Sequence, residues 1–126
     1  MGACVLVCKA ALKAGVGKVT ACIPENQYYI LQTSVPEAQI IDRKIPLHLS
    51  KIPEAIIIGP GLGLNEKALN LLLDILQNYA HIPKVIDADA ITLLAQHMEK
   101  WLHTSCFNTI WTPHLGEFFR IVGTCE

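Results

Sequence analysis

Along this chain, short continuous apolar runs alternate with longer stretches in which apolar residues recur every three or four positions. Ala55-Ile56-Ile57-Ile58 is the clearest run. It does not alternate with polar residues, so it is expected to form a strand buried on both faces, as in a parallel sheet. Lys84-Val85-Ile86-Asp87 predicts a second buried strand. Residues 18–23 and 108–111 predict two more, and 37–41 a short one. Helical spacing is strongest over 65–79, where Leu69, Leu72, Leu73 and Leu76 make one stripe that belongs in a core. Helices are also predicted over 2–14, stopped by Gly15 and Gly17, over 90–97, and from Leu115 to Val122; residues 99–103 extend or follow the third of these. Residues 25–33 are weakly helical, and 45–53, with Pro46 and Pro53, form a connection.

Helix and strand therefore alternate along the sequence. That order predicts an α/β fold with right-handed crossovers and a mostly parallel sheet carrying helices on both faces. There are no internal repeats. The chain opens in a helix and stops as another begins, so residues 1–126 are expected to be a single partial domain, incomplete at both ends. A cut sheet leaves an unpaired strand edge and exposed apolar helix faces. Self-association as a homo-oligomer, or continuation in a longer polypeptide, follows as an expectation.

Composition narrows the function classes. At 52% hydrophobic and 17% charged, the chain has ample material for a core. A net charge of −1 without a basic cluster argues against a nucleic-acid partner. Cys4, Cys8, Cys22, Cys106 and Cys125 form no CxxC pair, which points to free thiols in a reducing cytosol. Lys9 and Lys13 interrupt the apolar N-terminus too early for a signal peptide, and no run reaches the roughly 20 apolar residues of a membrane span. No membrane partner and a cytoplasmic location are the expectations.

The candidate chemistry lies where strands end. Ile58-Gly59-Pro60-Gly61-Leu62-Gly63 leads from a strand towards a helix, a place where α/β proteins turn backbone N–H groups on an anionic ligand. It is GxGxG, neither the dinucleotide fingerprint nor a Walker A loop. It is either a tight turn needing positive φ or a ligand contact through the Gly61 backbone. Asp87 and Asp89 straddle Ala88, so one is expected to point into the fold and the other into the crevice. There a carboxylate can hold Mg²⁺ through water, orient a sugar hydroxyl, or, for Asp89, cap the next helix. His114 follows Pro113 at a third strand end and is a candidate donor to a substrate oxygen; Glu117, one turn on, favours the helix N-terminus. All three loops are expected to face one crevice. His48, His81, His97 and His103 show no metal-ligand spacing, and Ser105-Cys106 has no evident base partner.

These motifs resemble one family. Ala3, the run from Leu12 to Thr20, Ile58 to Gly63, Val85-Ile86-Asp87-Ala88-Asp89-Ala90, and Thr112-Pro113-His114-Leu115-Gly116-Glu117-Phe118 occur in the order and spacing of the ADP/ATP-dependent NAD(P)H-hydrate dehydratases. Gln32 to Ala38 is similar to that family as well. The resemblance implies a ribokinase-like, Rossmann-like three-layer fold of the carbohydrate kinase superfamily. It also implies metabolite repair: a lyase that dehydrates (S)-NADH or NADPH hydrate at the expense of ADP or ATP with Mg²⁺, by phosphorylation of the hydroxyl and elimination. It implies that Ala3, Gly61 and His114 contact the hydrated nucleotide, that Leu115, Gly116, Glu117, Phe118, Phe119 and Arg120 line the site, and that Asp87 and Asp89 share the crevice. An epimerase domain often precedes this one in the family.

Two departures qualify the resemblance. Leu115 stands where the family usually has Pro. This sequence also contains no Gly-Thr-Gly-Asp segment, where the family places its phosphoryl anion hole and base. The expectation is a substrate-facing part with little or no activity alone. The alternatives are a ribokinase-like small-molecule kinase, or a non-catalytic nucleotide-binding fragment.

Overall fold

A computed structural model describes residues 1–44, 46–47, 49–103 and 108–123. His48, Ser105, Cys106 and Cys125 lie outside the described residues. The chain divides into two compact units, Met1–Lys44 and Ile45–Glu126.

In the first unit, α1 (Gly2–Lys13) is followed by β1 (Thr20–Ile23), a 3-10 turn at Glu25–Gln27, α2 (Tyr28–Ser34) and β2 (Gln39–Asp42). The weakly helical stretch is thus a helix in two pieces. Helix α1 closes on its own carbonyls, with Ala14 N–H donating to Ala10 O at 2.9 Å, and Gly15 then takes φ +92°. Only glycine adopts that conformation without steric penalty. β1 and β2 pair in parallel, Thr20 opposite Gln39 and Ile23 opposite Asp42. Cys8, Ala21, Ile23, Leu31, Val35 and Ala38 make the core of this unit. Cys4, Cys8 and Cys22 are free thiols.

The second unit runs β3 (Ile56–Ile58), α3 (Glu66–Asn78), β4 (Lys84–Ile86), α4 (Asp89–Gln96), α5 (Met98–Trp101), β5 (Thr109–Trp111) and α6 (Leu115–Val122). Its three strands form a parallel sheet in sequence order. Ile57, Val85 and Ile110 stand side by side in one row, and Ile58, Ile86 and Trp111 in the next. Asn65 starts α3 by accepting the Ala68 N–H at 3.0 Å. The predicted stripe then enters the core, with Leu69, Leu72 and Leu76 joined by Leu71 and Ile75. α4 adds Ala90, Ile91, Leu93 and Leu94. Each fully buried Leu or Ile contributes about 1.5–3 kcal/mol relative to exposure.

At the far end of α3, Lys84 is buried and its ammonium donates to the carbonyls of Tyr79, Ala80 and Ile82. The charge satisfies carbonyl groups that the helix end leaves over. Tyr79 OH donates to Leu47 O at 2.6 Å, and Leu47 N–H donates to Asp74 Oδ2 at 3.0 Å, which fastens the preceding connection to the same helix.

One expectation needs correction. The β3 strand is not buried on both faces: Ile58 is buried, but Ile57 is 49% exposed and its neighbour Ile110 63%. Successive strand residues point to opposite faces, and only the face of Ile58 and Ile86 is covered. Helix α6 carries an exposed apolar face, as expected of some helices here. Leu115, Phe118, Phe119 and Val122, spaced as one helical face, are exposed, while its buried residue is Glu117. No helix among the described residues is long and apolar enough to cross a membrane.

Candidate functional site

Because β3, β4 and β5 are parallel, the loops that leave them emerge along one edge of the sheet. These are the three loops singled out above. Backbone bonds knit them: Asp87 N–H donates to Ile58 O at 3.1 Å, and Thr112 N–H donates to Ile86 O at 3.1 Å.

The glycine loop is a tight turn first. Gly59 takes φ +125°, and a Cβ there would lie 1.7 Å from Asp87 O and 2.9 Å from the Ala90 methyl. Gly61 and Gly63 take φ +70° and +88°. The loop's donors are largely occupied from within. Leu62 N–H donates to Gly59 O at 2.9 Å, and Gly63 N–H donates to Asp89 Oδ2 at 2.8 Å. Among the described residues the Gly61 N–H has no partner. The loop is thus closed upon a carboxylate of its own chain.

Asp87 and Asp89 are both half-buried. Between them Ala88 adopts φ +48°, ψ −123°, a conformation that costs a residue with a Cβ roughly 1–3 kcal/mol. Ala88 occupies the N-cap position of α4 without a side-chain cap, so Asp89 does not cap the helix. Asp89 stands in the first turn, where the helix dipole favours negative charge, and reaches across to the glycine loop. The Asp87 carboxylate has no hydrogen-bond or ionic partner among the described residues.

His114 caps α6. Its Nδ1 accepts the Gly116 N–H at 3.0 Å and the Glu117 N–H at 3.4 Å, while Glu117 Oε2 accepts the His114 N–H at 3.0 Å. This is a reciprocal capping box, with a ring nitrogen standing in for a hydroxyl. Nδ1 is an acceptor, so the ring proton sits on Nε2, 3.3 Å from Glu117 Oε1. Nε2 makes no hydrogen bond to Glu117 at that distance, and the ring remains largely exposed. Nε2 is therefore the ring nitrogen left for the expected donation from His114 to a ligand. Gly116 makes room for this fold-back, since a Cβ there would sit 3.0 Å from His114 Cε1.

Of the other residues the sequence singles out, Leu115, Phe118 and Phe119 lie on the exposed stripe. Phe118 and Phe119 meet edge to face, with centroids 6.1 Å apart. Arg120 reaches Thr92 Oγ1 at 3.4 Å. Ala3 is an exposed residue of α1 in the first unit. No group of three or more His, Cys, Asp or Glu among the described residues is arranged to hold a metal ion. The edge instead offers the Gly61 N–H and the Asp87 carboxylate, neither with a partner among the described residues, and an imidazole N–H, a set suited to hydroxyl and amide groups. Two features escape sequence reasoning: the clasp between Gly63 and Asp89, and the turned backbone of Ala88. The cap itself left a signal, since His114 and Glu117 have the three-residue spacing of a capping box.

A family model described as NAD(P)H-hydrate dehydratase matches residues 1–126. The chain is 33% identical to the ADP-dependent (S)-NAD(P)H-hydrate dehydratase of Staphylococcus aureus, over 97% of this chain and 45% of that protein. It is 34% identical to the bifunctional NAD(P)H-hydrate repair enzyme Nnr of Moorella thermoacetica, over 98% of this chain and 25% of that one. Its fold matches the ADP/ATP-dependent NAD(P)H-hydrate dehydratase of Bacillus subtilis, co-crystallised with ATP/Mg²⁺ and soaked with CoA. That match has a TM-score of 0.76 and 30% identity, over 97% of this chain and 44% of that one. It also matches a ribokinase-like superfamily protein of Enterococcus faecalis with a TM-score of 0.77 and 26% identity, over 95% of this chain and 43% of that one. The chain spans about half the length of these single-function relatives.

Proposed function

Since the chain belongs to the NAD(P)H-hydrate dehydratase family, we propose that it supplies the substrate-facing part of an enzyme that dehydrates (S)-NADH or NADPH hydrate to the reduced cofactor. ADP or ATP with Mg²⁺ drives the reaction: a phosphoryl group passes to the hydroxyl, and loss of phosphate and a proton restores the ring double bond. The observation that carries this reading is the convergence of the Gly59 to Gly63, Asp87 to Asp89 and Thr112 to Glu117 loops on one sheet edge.

On that edge we assign the Gly61 N–H and His114 Nε2–H to donate to the hydrated nucleotide, and the Asp87 carboxylate to accept from it. Leu115, Gly116, Glu117, Phe118, Phe119 and Arg120 flank these groups, and Ala3 is assigned to the same substrate. Binding and orientation of the substrate are the roles assigned to these residues. We further propose that residues 1–126 belong to one ribokinase-like domain working in the cytoplasm, within a longer polypeptide, with or without an epimerase domain, or as a homo-oligomer.

The test is recovery of nicotinamide absorbance from hydrated NADH with ADP or ATP and Mg²⁺, using the purified chain. Little or no recovery is expected, with hydrated cofactor still binding and His114→Ala binding more weakly. Transfer of phosphate to another small hydroxylated compound favours a kinase instead. Absence of any nicotinamide-nucleotide binding overturns the proposal.

A further inference from the structure

The glycine loop, read from sequence, is a place for an anion. Its structure argues otherwise. The Asp89 carboxylate already accepts the Gly63 N–H at 2.8 Å, and the Leu62 N–H is turned inward on Gly59 O. A phosphate approaching Gly61 would meet a fixed negative charge bonded two residues away. Unlike charges a few ångströms apart at a protein surface attract, and like charges repel, by a few kcal/mol at most. That is enough to decide which end of a nucleotide enters.

The carboxylate is held where it acts by three independent constraints. Ala88 is turned to φ +48°, ψ −123° immediately before Asp89. Ala90 N–H donates to Asp87 O at 3.2 Å and locks the turn. Gly59 packs against that same Asp87 carbonyl so closely that no side chain fits. Loop 59–63 and turn 87–89 are therefore one assembly, joined by backbone contact at Gly59 and by the Asp89 side chain at Gly63.

We propose that Asp89 is a positioning residue that sets the polarity of the loop. It fixes Gly59 to Gly63 through the Gly63 N–H, bars phosphate from the loop, and leaves the Gly61 N–H for an uncharged polar group. Resting on the function proposed above, this directs the amide or hydroxyl groups of the nicotinamide riboside end, and not the pyrophosphate, to the glycine loop.

The test is amide NMR of the whole chain and its Asp89→Asn and Asp89→Ala variants, each titrated with inorganic phosphate and with hydrated NADPH. In the parent chain, phosphate should leave the Gly61 and Gly63 signals unmoved. Asp89→Asn keeps an acceptor for Gly63 but loses the charge, so without ligand its loop signals should stay close to the parent's, while added phosphate should now shift the Gly61 and Gly63 signals. Asp89→Ala should shift all the loop amides, Gly63 most. Hydrated NADPH should move Gly61 in the parent chain and in Asp89→Asn. Phosphate binding to the parent loop, or an Asp89→Ala spectrum with the loop unchanged, overturns the inference. If phosphate behaves as expected but hydrated NADPH moves no residue of the three loops, the proposed substrate fails while the role of Asp89 in the loop stands.

Discussion

His114 and Glu117 cap each other: the ring Nδ1 accepts the Glu117 N–H, and the Glu117 carboxylate accepts the His114 N–H at 3.0 Å. A residue singled out as a ligand donor thus also starts a helix. His114→Ala is expected to cost about 1 kcal/mol of stability through loss of the cap, besides weakening nucleotide binding. His114→Asn separates the two effects, because Asn caps well but carries no imidazole. Urea unfolding should show Asn restoring most of the stability, while calorimetric titration with hydrated NADPH should show binding still impaired. Full recovery of binding by Asn would remove His114 from the site.

Gly59 and Gly63 share a loop but not a constraint. At Gly59 a Cβ would overlap Asp87 O, and φ is +125°. Gly59→Ala should therefore cost more than about 3 kcal/mol or prevent folding. Gly63→Ala, where a Cβ would meet only Asn65 Nδ2 at 3.7 Å, faces the cost of positive φ, about 1 kcal/mol, so thermal melts of the two variants should differ widely. Equal melting temperatures would mean that the glycine loop and the Asp87 turn are not in contact.

Lys84 offers the clearest test of buried charge. Lys84→Met keeps the aliphatic stem but abandons the carbonyls of Tyr79, Ala80 and Ile82, and is expected to destabilise the chain by about 1–3 kcal/mol. Chemical denaturation measures it. A neutral or stabilising result would mean that water replaces the ammonium at the end of α3.

Burial, and secondarily the Cys4 thiol beside it, pushes the Cys8 thiol up from 9.0 to about 11. A thiol that holds its proton more tightly when folded gives stability that is complete below the unfolded value and is lost as pH rises through the folded one. Stability should therefore fall between about pH 9 and 11 from this source, and Cys8→Ala should lose that portion of the slope. Alkylation followed by mass spectrometry at pH 8 should modify Cys8 more slowly than Cys22, whose pKa is also raised but which is less buried.

Much of the architecture was legible because it depends on local spacing. The leucines of α3 recur every three or four residues, and strands such as Lys84–Ile86 are short apolar runs ending in a turn. What escaped depends on partners distant in sequence. A run of isoleucines looks the same whether one face is covered or two, so the exposure of Ile57 was hidden. Asp89 resembled an N-cap because capping is a local habit of aspartate. Its actual partner, Gly63, is 26 residues away, and only the turn at Ala88 aims it there. His114 was legible as a polar residue at a strand end. Its role as a cap was less so, because imidazole seldom does the work of a hydroxyl.

The outward stripe of Leu115, Phe118, Phe119 and Val122 bears on every stability measurement named above. Whatever settles on that stripe, another molecule of the same chain included, binds the folded state and not the unfolded one, and so raises the apparent melting temperature by mass action. Melting curves for this protein are therefore quantities to be followed across a dilution series. The values that belong to the isolated chain are those approached as its concentration falls towards zero.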